Sequence, residues 1–276
     1  MITYKKGAFL NIVSLQPAEW ERRFKDVERL PFRDHLEIWL EYIPSRGERA
    51  ALKGILRDSE LIIHGPFIHL SLVSHIPAVA KLTARRLEEA IDLAADLGAS
   101  VITFHAGTYP VFEDRRRALE TLAERFLPFV SLTSPVVTLE NMPVRAGGAA
   151  RECLGRLEDL EEFQKLVPDT RFTLDVGHCL QNEDDPMLFI TRNFERIEDI
   201  HLHDGRAGGK SHLRLGLGTL DLKSLIETLI GVEFHRYVSL ETLSASDTKA
   251  SWDSWLDAER QFAITKPASF RAAMRS

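Results

Sequence analysis

Short apolar runs rich in β-branched residues alternate with longer amphipathic stretches from one end of this sequence to the other. Runs of that length and composition predict strands, and the amphipathic stretches predict helices. Strict alternation of the two predicts a parallel sheet with crossover helices. The predicted strands are Ala8–Val13, Leu36–Tyr42, Leu61–His64, Val101–His105, Val136–Glu140, Phe172–Asp175, Ile200–His203 and Tyr237–Glu241.

The clearest predicted helix spans Ala80–Leu97, where apolar residues recur at helical spacing up to a C-terminal stop at Gly98. Eight strand-then-helix units in 276 residues indicate a closed (β/α)8 barrel, or TIM barrel, a fold that takes roughly 250 residues. The chain has no linker or low-complexity tract, so we expect one α/β domain over residues 1–276. The other predicted helices are Ala18–Arg29, Glu48–Leu56, Arg115–Val130, Leu157–Leu166, Pro186–Asn193, Leu222–Ile230 and Ser251–Ile264.

Composition narrows the partners and the compartment. The formal net charge of −6 gives no general attraction for nucleic acid, although a groove can be basic on an acidic protein. Two cysteines, Cys153 and Cys179, predict no disulfide framework and favour a cytoplasmic location. The N-terminal apolar run is short and has no cleavage site after it, which predicts no signal peptide. No apolar stretch approaches the length of about 18 residues that a membrane span needs, and nothing specifies an oligomeric state.

Residues that can bind a metal ion stand at the ends of six consecutive predicted strands. In a (β/α)8 barrel the carboxyl ends of all strands meet at one rim, so these residues are expected to be neighbours. Imidazoles and carboxylates that converge on one point are the ligands of a divalent cation. The residues are His64, His105, Glu140, Asp175, the pair His201 and His203, and Glu241.

Each of these residues has an ordinary structural interpretation when it is taken alone. A single histidine at a strand end is more often a hydrogen-bonded structural residue, and this applies to His64, His105 and His203. A single carboxylate there often caps a helix or pairs with an arginine. Burying so many ionisable groups together is costly unless a cation pairs with them, and the complete set therefore indicates a metal site.

Seven short motifs occur in order along nearly the whole chain. This ordered set resembles the xylose isomerase-like barrel superfamily, which includes sugar and sugar phosphate isomerases and epimerases and the apurinic-site endonuclease IV family. The set is specific for the superfamily and much less specific for one reaction. The motifs are His64–Phe67, Phe104–Gly107, Leu139–Asn141, Leu174–His178, His201–Asp204, Gly216–Asp221 and Leu240–Thr242.

The resemblance implies a set of metal ligands. His64 and His105, with Glu140 as a bridge, match a second subsite of the endonuclease cluster. The four ligands shared by the isomerases and epimerases, which also form one endonuclease subsite, are matched by Glu140, Asp175, His201 and Glu241.

A third endonuclease subsite is matched only in part. His178 and His212 match two of its ligands, but an aspartate is also needed two residues before the second histidine. This chain has Lys210 at that position, and an ammonium group repels cations instead of binding them. The departure argues against a complete trinuclear centre.

Two glycine-containing loops bring basic residues to the same rim. They predict an anion clamp for a phosphate or carboxylate of the substrate, with exposed loop residues as an equally weighted interpretation. These basic residues are Arg145, Arg206 and Lys210. The histidines that are expected to contact substrate are His64, His105, His178 and His203.

The favoured function is isomerisation or epimerisation of a small sugar, a sugar phosphate or a hydroxy-keto compound. The expected cofactor is a divalent metal (Mn2+, Zn2+, Co2+ or Mg2+) that chelates adjacent substrate oxygens and polarises the carbonyl. Glu140 and Glu241 are predicted to take and return the proton through an enediolate, and His178 to hydrogen-bond a substrate oxygen. A lyase or dehydratase would share the first step.

Two other functions stay open. Zinc-dependent cleavage at abasic DNA is favoured by His64 and His105, which a one-metal isomerase does not require. It is disfavoured by Lys210, by the acidic net charge and by the lack of an evident DNA-binding insertion. A barrel that binds a metabolite without turnover is disfavoured by Glu140 and Glu241, because a purely binding site needs no carboxylate pair placed for proton transfer.

Overall fold

The computed structural model describes residues 3–11, 17–28, 34–56, 59–144 and 147–265. Eight parallel strands within these ranges close into a barrel in the order β1-β10-β9-β8-β6-β4-β3-β2, which confirms the predicted (β/α)8 fold. The barrel strands are β1 (Lys5–Asn11), β2 (His35–Trp39), β3 (Glu60–His64), β4 (Val101–His105), β6 (Val136–Glu140), β8 (Arg171–Asp175), β9 (Ile197–Leu202) and β10 (Tyr237–Leu240). Two short strands, β5 (Thr108–Pro110) and β7 (Ala150–Glu152), pair separately as an antiparallel ribbon.

Helices follow the barrel strands along the chain, as crossover connections between parallel strands require. The predicted helix over Ala80–Leu97 begins earlier, at a proline that suits the first helical turn. It ends as predicted, with Gly98 at φ 76° donating to the carbonyls of Ala94 and Ala95. The helices are α1 (Pro17–Glu28), α2 (Arg46–Leu56), α3 (Pro77–Leu97), α4 (Arg115–Val130), α5 (Leu157–Leu166), α6 (Val176–Asn182), α7 (Pro186–Asn193), α8 (Leu222–Gly231) and α9 (Ala245–Thr265).

Several predicted boundaries differ from the structure. β2 ends at Trp39 and not at Tyr42, because the Glu41 carboxylate turns to accept the backbone N–H groups of Phe67 and Ile68. The predicted end of the first strand, at Val13, lies outside the described residues. Helix α6 and the β5–β7 ribbon were not predicted, since elements of seven and three residues are too short to display a period.

The packed interior has an outer and an inner part. Outward-facing strand residues pack under the helices in one large apolar cluster, whereas Ile62, Val101 and Tyr237 form a separate small cluster. In β4, β6 and β8, the inward residue at the middle of each strand is a threonine, and the three hydroxyls hydrogen-bond one another: Thr103, Thr138 and Thr173. The barrel interior therefore becomes polar toward the rim at which the strands end.

Both cysteines, Cys153 and Cys179, are buried and unpaired, which agrees with the prediction of no disulfide framework. Burial raises the pKa of the Cys153 thiol well above its ordinary value, which disfavours the thiolate. Across the described ranges, no helix is long and apolar enough to cross a membrane.

The core between α4 and α5 provides a test of the packing. Phe126 is fully buried against Phe163, whereas the next residue, Leu127, is 61% exposed. Phe126→Ala is expected to lower the free energy of unfolding by about 3–5 kcal/mol, because it leaves a cavity. Leu127→Ala should change it by at most about 0.5 kcal/mol. Urea denaturation followed by circular dichroism compares the two, and equal effects would contradict the packing.

Candidate metal centre

Side chains from six barrel strands meet at the carboxyl-terminal rim. The ligand atoms of Glu140, Asp175, His201 and Glu241 all lie within 4.8 Å of one another. Those of His64, His105 and Glu140 form a second group of the same compactness. The structure thus brings together the residues that strand-end placement singled out, although their positions in the sequence span 64 to 241.

Glu140 joins the two groups through its two carboxylate oxygens. Its Oε2 lies 3.3 Å from His64 Nε2 and 3.2 Å from His105 Nε2. Its Oε1 faces the other way, 3.3 Å from His201 Nδ1. This carboxylate at the end of β6 is therefore placed to serve as a bridge between two adjacent ligand sets.

His201 presents its two ring nitrogens to different partners. Nε2 lies 3.0 Å from Glu37 Oε1, and Nδ1 lies 3.1 Å from Glu241 Oε2. Both Nδ1 of His201 and Oε2 of Glu241 are buried without a hydrogen-bond partner among the described residues. Two lone pairs that face each other repel unless a positive charge lies between them. The donor set of carboxylate oxygens and imidazole nitrogens fits a divalent cation at this point.

The charges of the centre agree with this fit. Burial by itself raises the pKa of Glu140, yet the imidazoles of His201 and His105 outweigh burial and hold that pKa well below its ordinary value. Burial likewise lowers the pKa of His201, but the surrounding carboxylates, first that of Glu37, raise it well above its usual range. The imidazole of His201 and the carboxylate of Glu140 thus stabilise each other's charged forms.

Asp175 is held in place by the start of the next helix. It ends β8 and caps α6, so its Oδ1 accepts the backbone N–H of His178 at 2.6 Å. Asn141, the residue after β6, fixes the Asp175 backbone with two hydrogen bonds. Its side chain accepts the Asp175 N–H at 2.8 Å and donates to the Asp175 carbonyl at 3.0 Å. This local arrangement explains why the aspartate and the asparagine stand directly at the two strand ends.

For His64 and His178, the tautomer follows from the backbone carbonyl that lies beside Nδ1, because a carbonyl oxygen can only accept a hydrogen bond. His64 Nδ1 donates to the Gly65 carbonyl at 3.0 Å, and His178 Nδ1 donates to the Asn141 carbonyl at 2.9 Å. Each neutral imidazole then keeps a lone pair on Nε2. His64 Nε2 faces Glu140, as described above, and His178 Nε2 is left to bind a metal ion or a substrate oxygen.

His203 lies behind the centre. It is fully buried; its Nε2 lies 2.9 Å from Asp175 Oδ2, and its Nδ1 lies 3.1 Å from the Asp204 carbonyl oxygen and 2.9 Å from the His212 backbone nitrogen. Burial lowers the pKa of His203, but Asp175 outweighs burial and raises it to about 9. His178, His203 and His212 have ligand atoms within 4.8 Å of one another, yet both nitrogens of His203 already have partners. Its predicted contact with substrate stays a prediction.

The basic residues predicted to form an anion clamp lie farther out. Arg206 and Lys210 are exposed, and the Arg206 guanidinium donates to the Leu217 carbonyl at 2.6 and 3.0 Å. Arg145 lies outside the described residues. The clamp therefore stays a prediction.

A cavity of about 690 Å3 opens beside His105. Phe67 forms part of its wall and stacks on the His105 ring, with 4.3 Å between ring centroids. Trp39 stacks in turn on Phe67 at 5.0 Å. Tyr109 and Met142 line the cavity further from the centre. Its volume is in the range that small-molecule sites occupy, roughly 300–1,000 Å3.

Sequence reasoning missed two buried acids below the centre, Glu37 and Asp199. Both are fully buried, in β2 and β9. Burial, followed by the charge of Glu37, raises the pKa of Asp199 to about 7. The available signal was the position of Glu37 between the apolar residues Leu36 and Ile38 of a predicted strand, since a buried carboxylate must face a polar partner.

Fold and rim together define a (β/α)8 protein with a His/Asp/Glu cluster where such barrels hold their active sites. Residues 21–264 match the family described as the xylose isomerase-like TIM barrel. The chain therefore belongs to this family, as the ordered motifs indicated.

Two curated relatives and two solved structures show the range of the likeness. An uncharacterized protein of Methanocaldococcus jannaschii is 27% identical over 214 residues, which cover 71% of this chain and 70% of that one. A probable endonuclease 4 of Akkermansia muciniphila is 26% identical over 182 residues, which cover 61% of this chain and 65% of the relative.

Among solved structures, a D-tagatose 3-epimerase-like protein superposes with a TM-score of 0.79 at 22% identity, covering 93% of this chain and 97% of its own. An L-ribulose 3-epimerase superposes with a TM-score of 0.75 at 18% identity, and the superposition covers 96% of this chain and 99% of the epimerase chain. At these identities the likeness shows the fold.

Gly177 allows His203 to sit against the turn after Asp175. A Cβ at Gly177 would stand 1.9 Å from Cε1 of the His203 ring. Gly177→Ala is therefore expected to lower the free energy of unfolding by about 1–3 kcal/mol through overpacking. The matched control is Gly54→Ala in α2, where a Cβ meets nothing within 4 Å, and alanine should stabilise the helix by roughly 0.5–1 kcal/mol. Thermal unfolding of both variants gives the measurement, and a stabilised Gly177→Ala would refute the contact.

Proposed function

We propose that this protein is a divalent-metal-dependent isomerase or epimerase of a small sugar, a sugar phosphate or a hydroxy-keto compound. The observation that carries the proposal is the pair formed by Glu140 and Glu241. These carboxylates come from β6 and from the end of β10 and lie on either side of His201 Nδ1, at 3.3 and 3.1 Å. Reversing the configuration of a carbon needs one group to remove its proton and a second group to return one.

The same residues are suited to hold the metal. Glu140, Asp175, His201 and Glu241 would be its ligands, and Mn2+, Zn2+, Co2+ and Mg2+ all accept such donors. A divalent cation there supplies Lewis-acid polarisation of a carbonyl, which lowers the cost of removing the neighbouring C–H proton.

The chain's own residues supply the proton transfers and the orientation. The pKa of Glu241, like that of Glu140, is held below its ordinary value, in this case by His201 and His212 against the opposing effect of burial. Both carboxylates are thus held in the ionised form that a proton acceptor needs. His178 has its Nδ1 bound to the Asn141 carbonyl, so its Nε2 can accept a hydrogen bond from a substrate hydroxyl.

The cavity beside His105 supports a small substrate. Its aromatic wall, Phe67 backed by Trp39, offers a flat apolar surface for the C–H face of a sugar. The D-tagatose 3-epimerase-like protein and the L-ribulose 3-epimerase, which share the fold, support a ketose as the first substrate class to test. Arg206, Lys210 and Arg145 are proposed to recognise a phosphate or carboxylate on that substrate.

One observation favours a second function, phosphoester cleavage at abasic sites in DNA. Glu140 bridges two ligand groups, and the second group contains His64 and His105, which a one-metal isomerase does not need. The relative described as a probable endonuclease 4 adds weight. Such a reaction uses two or three zinc ions to generate hydroxide and to stabilise the leaving oxygen.

Substitution of either carboxylate tests the first function. Glu140→Gln and Glu241→Gln are each expected to lower kcat by roughly 10²-fold or more, because an acid–base group is lost. The measurements are turnover of a ketose panel by chromatography and, by NMR, deuterium uptake from D2O at the epimerised carbon.

The matched control is Glu60→Gln at the opposite end of the barrel, where Glu60 pairs with Lys5 at 2.8 Å. This variant should keep the wild-type rate. A Glu140→Gln or Glu241→Gln protein that keeps a bound metal and near-wild-type turnover would rule out the proton-transfer roles. Wild-type protein that binds the sugars without turnover would favour the non-catalytic alternative.

Lys210 allows a test between the two functions. We expect at most two tightly bound metal ions in the wild type, since both nitrogens of His203 are engaged and the ammonium group of Lys210 cannot act as a metal ligand. Lys210→Asp should gain one zinc ion, whereas Lys210→Ala, which only removes the charge, should not.

Metal content is measured by mass spectrometry on protein purified without chelator and then supplied with zinc, with cleavage of an abasic-site oligonucleotide assayed in parallel. Three zinc ions in the wild type together with efficient cleavage would make the endonuclease function the better one.

A further inference from the structure

Glu37 makes a buried contact that the proposed chemistry does not use. Its Oε1 lies 3.0 Å from Nε2 of His201, and both side chains are fully buried. Glu37 belongs to β2, across the barrel from β8 and well below the rim, and it faces the side of the imidazole opposite to Glu140 and Glu241. It therefore cannot share a metal ion with them through the same nitrogen.

The contact decides which nitrogen of His201 carries the proton. A carboxylate accepts hydrogen bonds and an ionised one cannot donate them, so Nε2 must carry the hydrogen in this pair. In the neutral imidazole the lone pair then lies on Nδ1, which points at Glu241 and Glu140 at 3.1 and 3.3 Å. Only this tautomer lets His201 act as a ligand at the centre.

Asp199 is the other carboxylate near His201, but it has different partners. Its Oδ2 accepts the Ser239 hydroxyl at 2.9 Å and its Oδ1 accepts the Ile200 N–H at 2.8 Å. It lies 3.8 Å from His201 Nε2, against 3.0 Å for Glu37. Glu37 is thus the acceptor of the His201 proton among the described residues.

The cost of burying Glu37 also argues for a role beyond packing. Its second oxygen, Oε2, is buried and has no hydrogen-bond partner among the described residues. An apolar side chain of similar size would fill the same space without that desolvation cost. A carboxylate at this position is explained if its charge-assisted hydrogen bond with His201 strengthens the binding of a metal ion by His201.

We propose that Glu37 is a positioning residue for the metal centre, which fixes the His201 ring and the tautomer that leaves Nδ1 free for the cation. The inference depends on the metal centre of the proposed function and not on which reaction that centre performs. Carboxylate partners of this kind raise the basicity of a ligating imidazole and lock its orientation, and their loss weakens metal binding by roughly 10–100-fold.

The test is the metal affinity of Glu37→Gln. Glutamine has the same shape, but its amide can turn its NH2 group toward Nε2. That would place the imidazole proton on Nδ1 and block its lone pair. We expect the Kd for Mn2+ or Zn2+, measured by competition with a fluorescent chelator, to rise by roughly 10–100-fold.

The matched control is Thr138→Val. Thr138 lies in the same polar part of the barrel interior, and its replacement by valine removes hydrogen bonds to the hydroxyls of Thr103 and Thr173. None of the hydrogen bonds that its side chain makes with the described residues involves His201. Its metal affinity should stay within about twofold of wild type, because sites without shared partners act independently. A Glu37→Gln affinity as close to wild type as this would overturn the inference.

A second measurement needs no substitution at Glu37. In wild-type protein labelled with 15N-histidine and loaded with Zn2+, long-range 1H–15N correlation identifies the protonated nitrogen of each ring, and His201→Gln assigns the His201 signals. A proton on Nε2 with metal on Nδ1 is expected, and the reverse arrangement would refute the inference even if Glu37→Gln does not fold.

The outcomes separate the inference from the proposed function. If wild-type protein binds neither Mn2+ nor Zn2+, the metal centre itself fails and the role of Glu37 fails with it. If wild type binds tightly and Glu37→Gln binds equally well, only Glu37 is misassigned. If affinity falls as expected while no sugar is turned over, the role of Glu37 stands and the proposed reaction is wrong.

Discussion

Closure of the barrel is the constraint on which the site depends. β1 pairs in parallel with β2 on one side and with β10 on the other, so the first and last strands become neighbours and all strand ends face one rim. His64 and Glu241, far apart in sequence, contribute to one cluster for this reason alone. The helices between them supply packing, apart from α6, which carries His178 and is capped by Asp175. The same closure encloses an interior whose upper part is polar, because inward residues such as Thr138 and Asp199 stand directly below the ligands.

The energetic problem created by this closure is an excess of negative charge. Glu140, Asp175 and Glu241 are brought around a single ring, that of His201, with Glu37 on its far side. Water cannot screen charges that are buried to this degree. Protonating His201 relieves part of the repulsion, which is why its pKa is raised. A dication would relieve more of it, and His201 Nδ1 and Glu241 Oε2, which lie 3.1 Å apart, would be among its ligand atoms.

The sequence predicts the barrel and the rim well because both follow from local signals. Glu140 and Asp175 each end a strand within a motif, so their placement requires only the strand boundary and the fold. Glu37 could not be placed in this way, since its direction depends on which alternate residues of β2 face inward. Asp199 was missed because the strand was predicted to begin at Ile200, three residues late. Helix α6 begins at the strand end itself and is too short to show a period.

The number of metal ions decides which chemistry Glu140 can perform. A carboxylate with a cation on each of its oxygens is a much weaker base, because two nearby positive charges disfavour its protonation. With one cation near Oε1, the Oε2 atom would stay available to a proton, and His105 Nε2, 3.2 Å away, could donate a hydrogen bond to it. With two cations, Glu140 would serve as a ligand to both and would be poorly suited to proton transfer. Metal occupancy at His64 and His105 would therefore distinguish the two proposed functions on the same set of side chains.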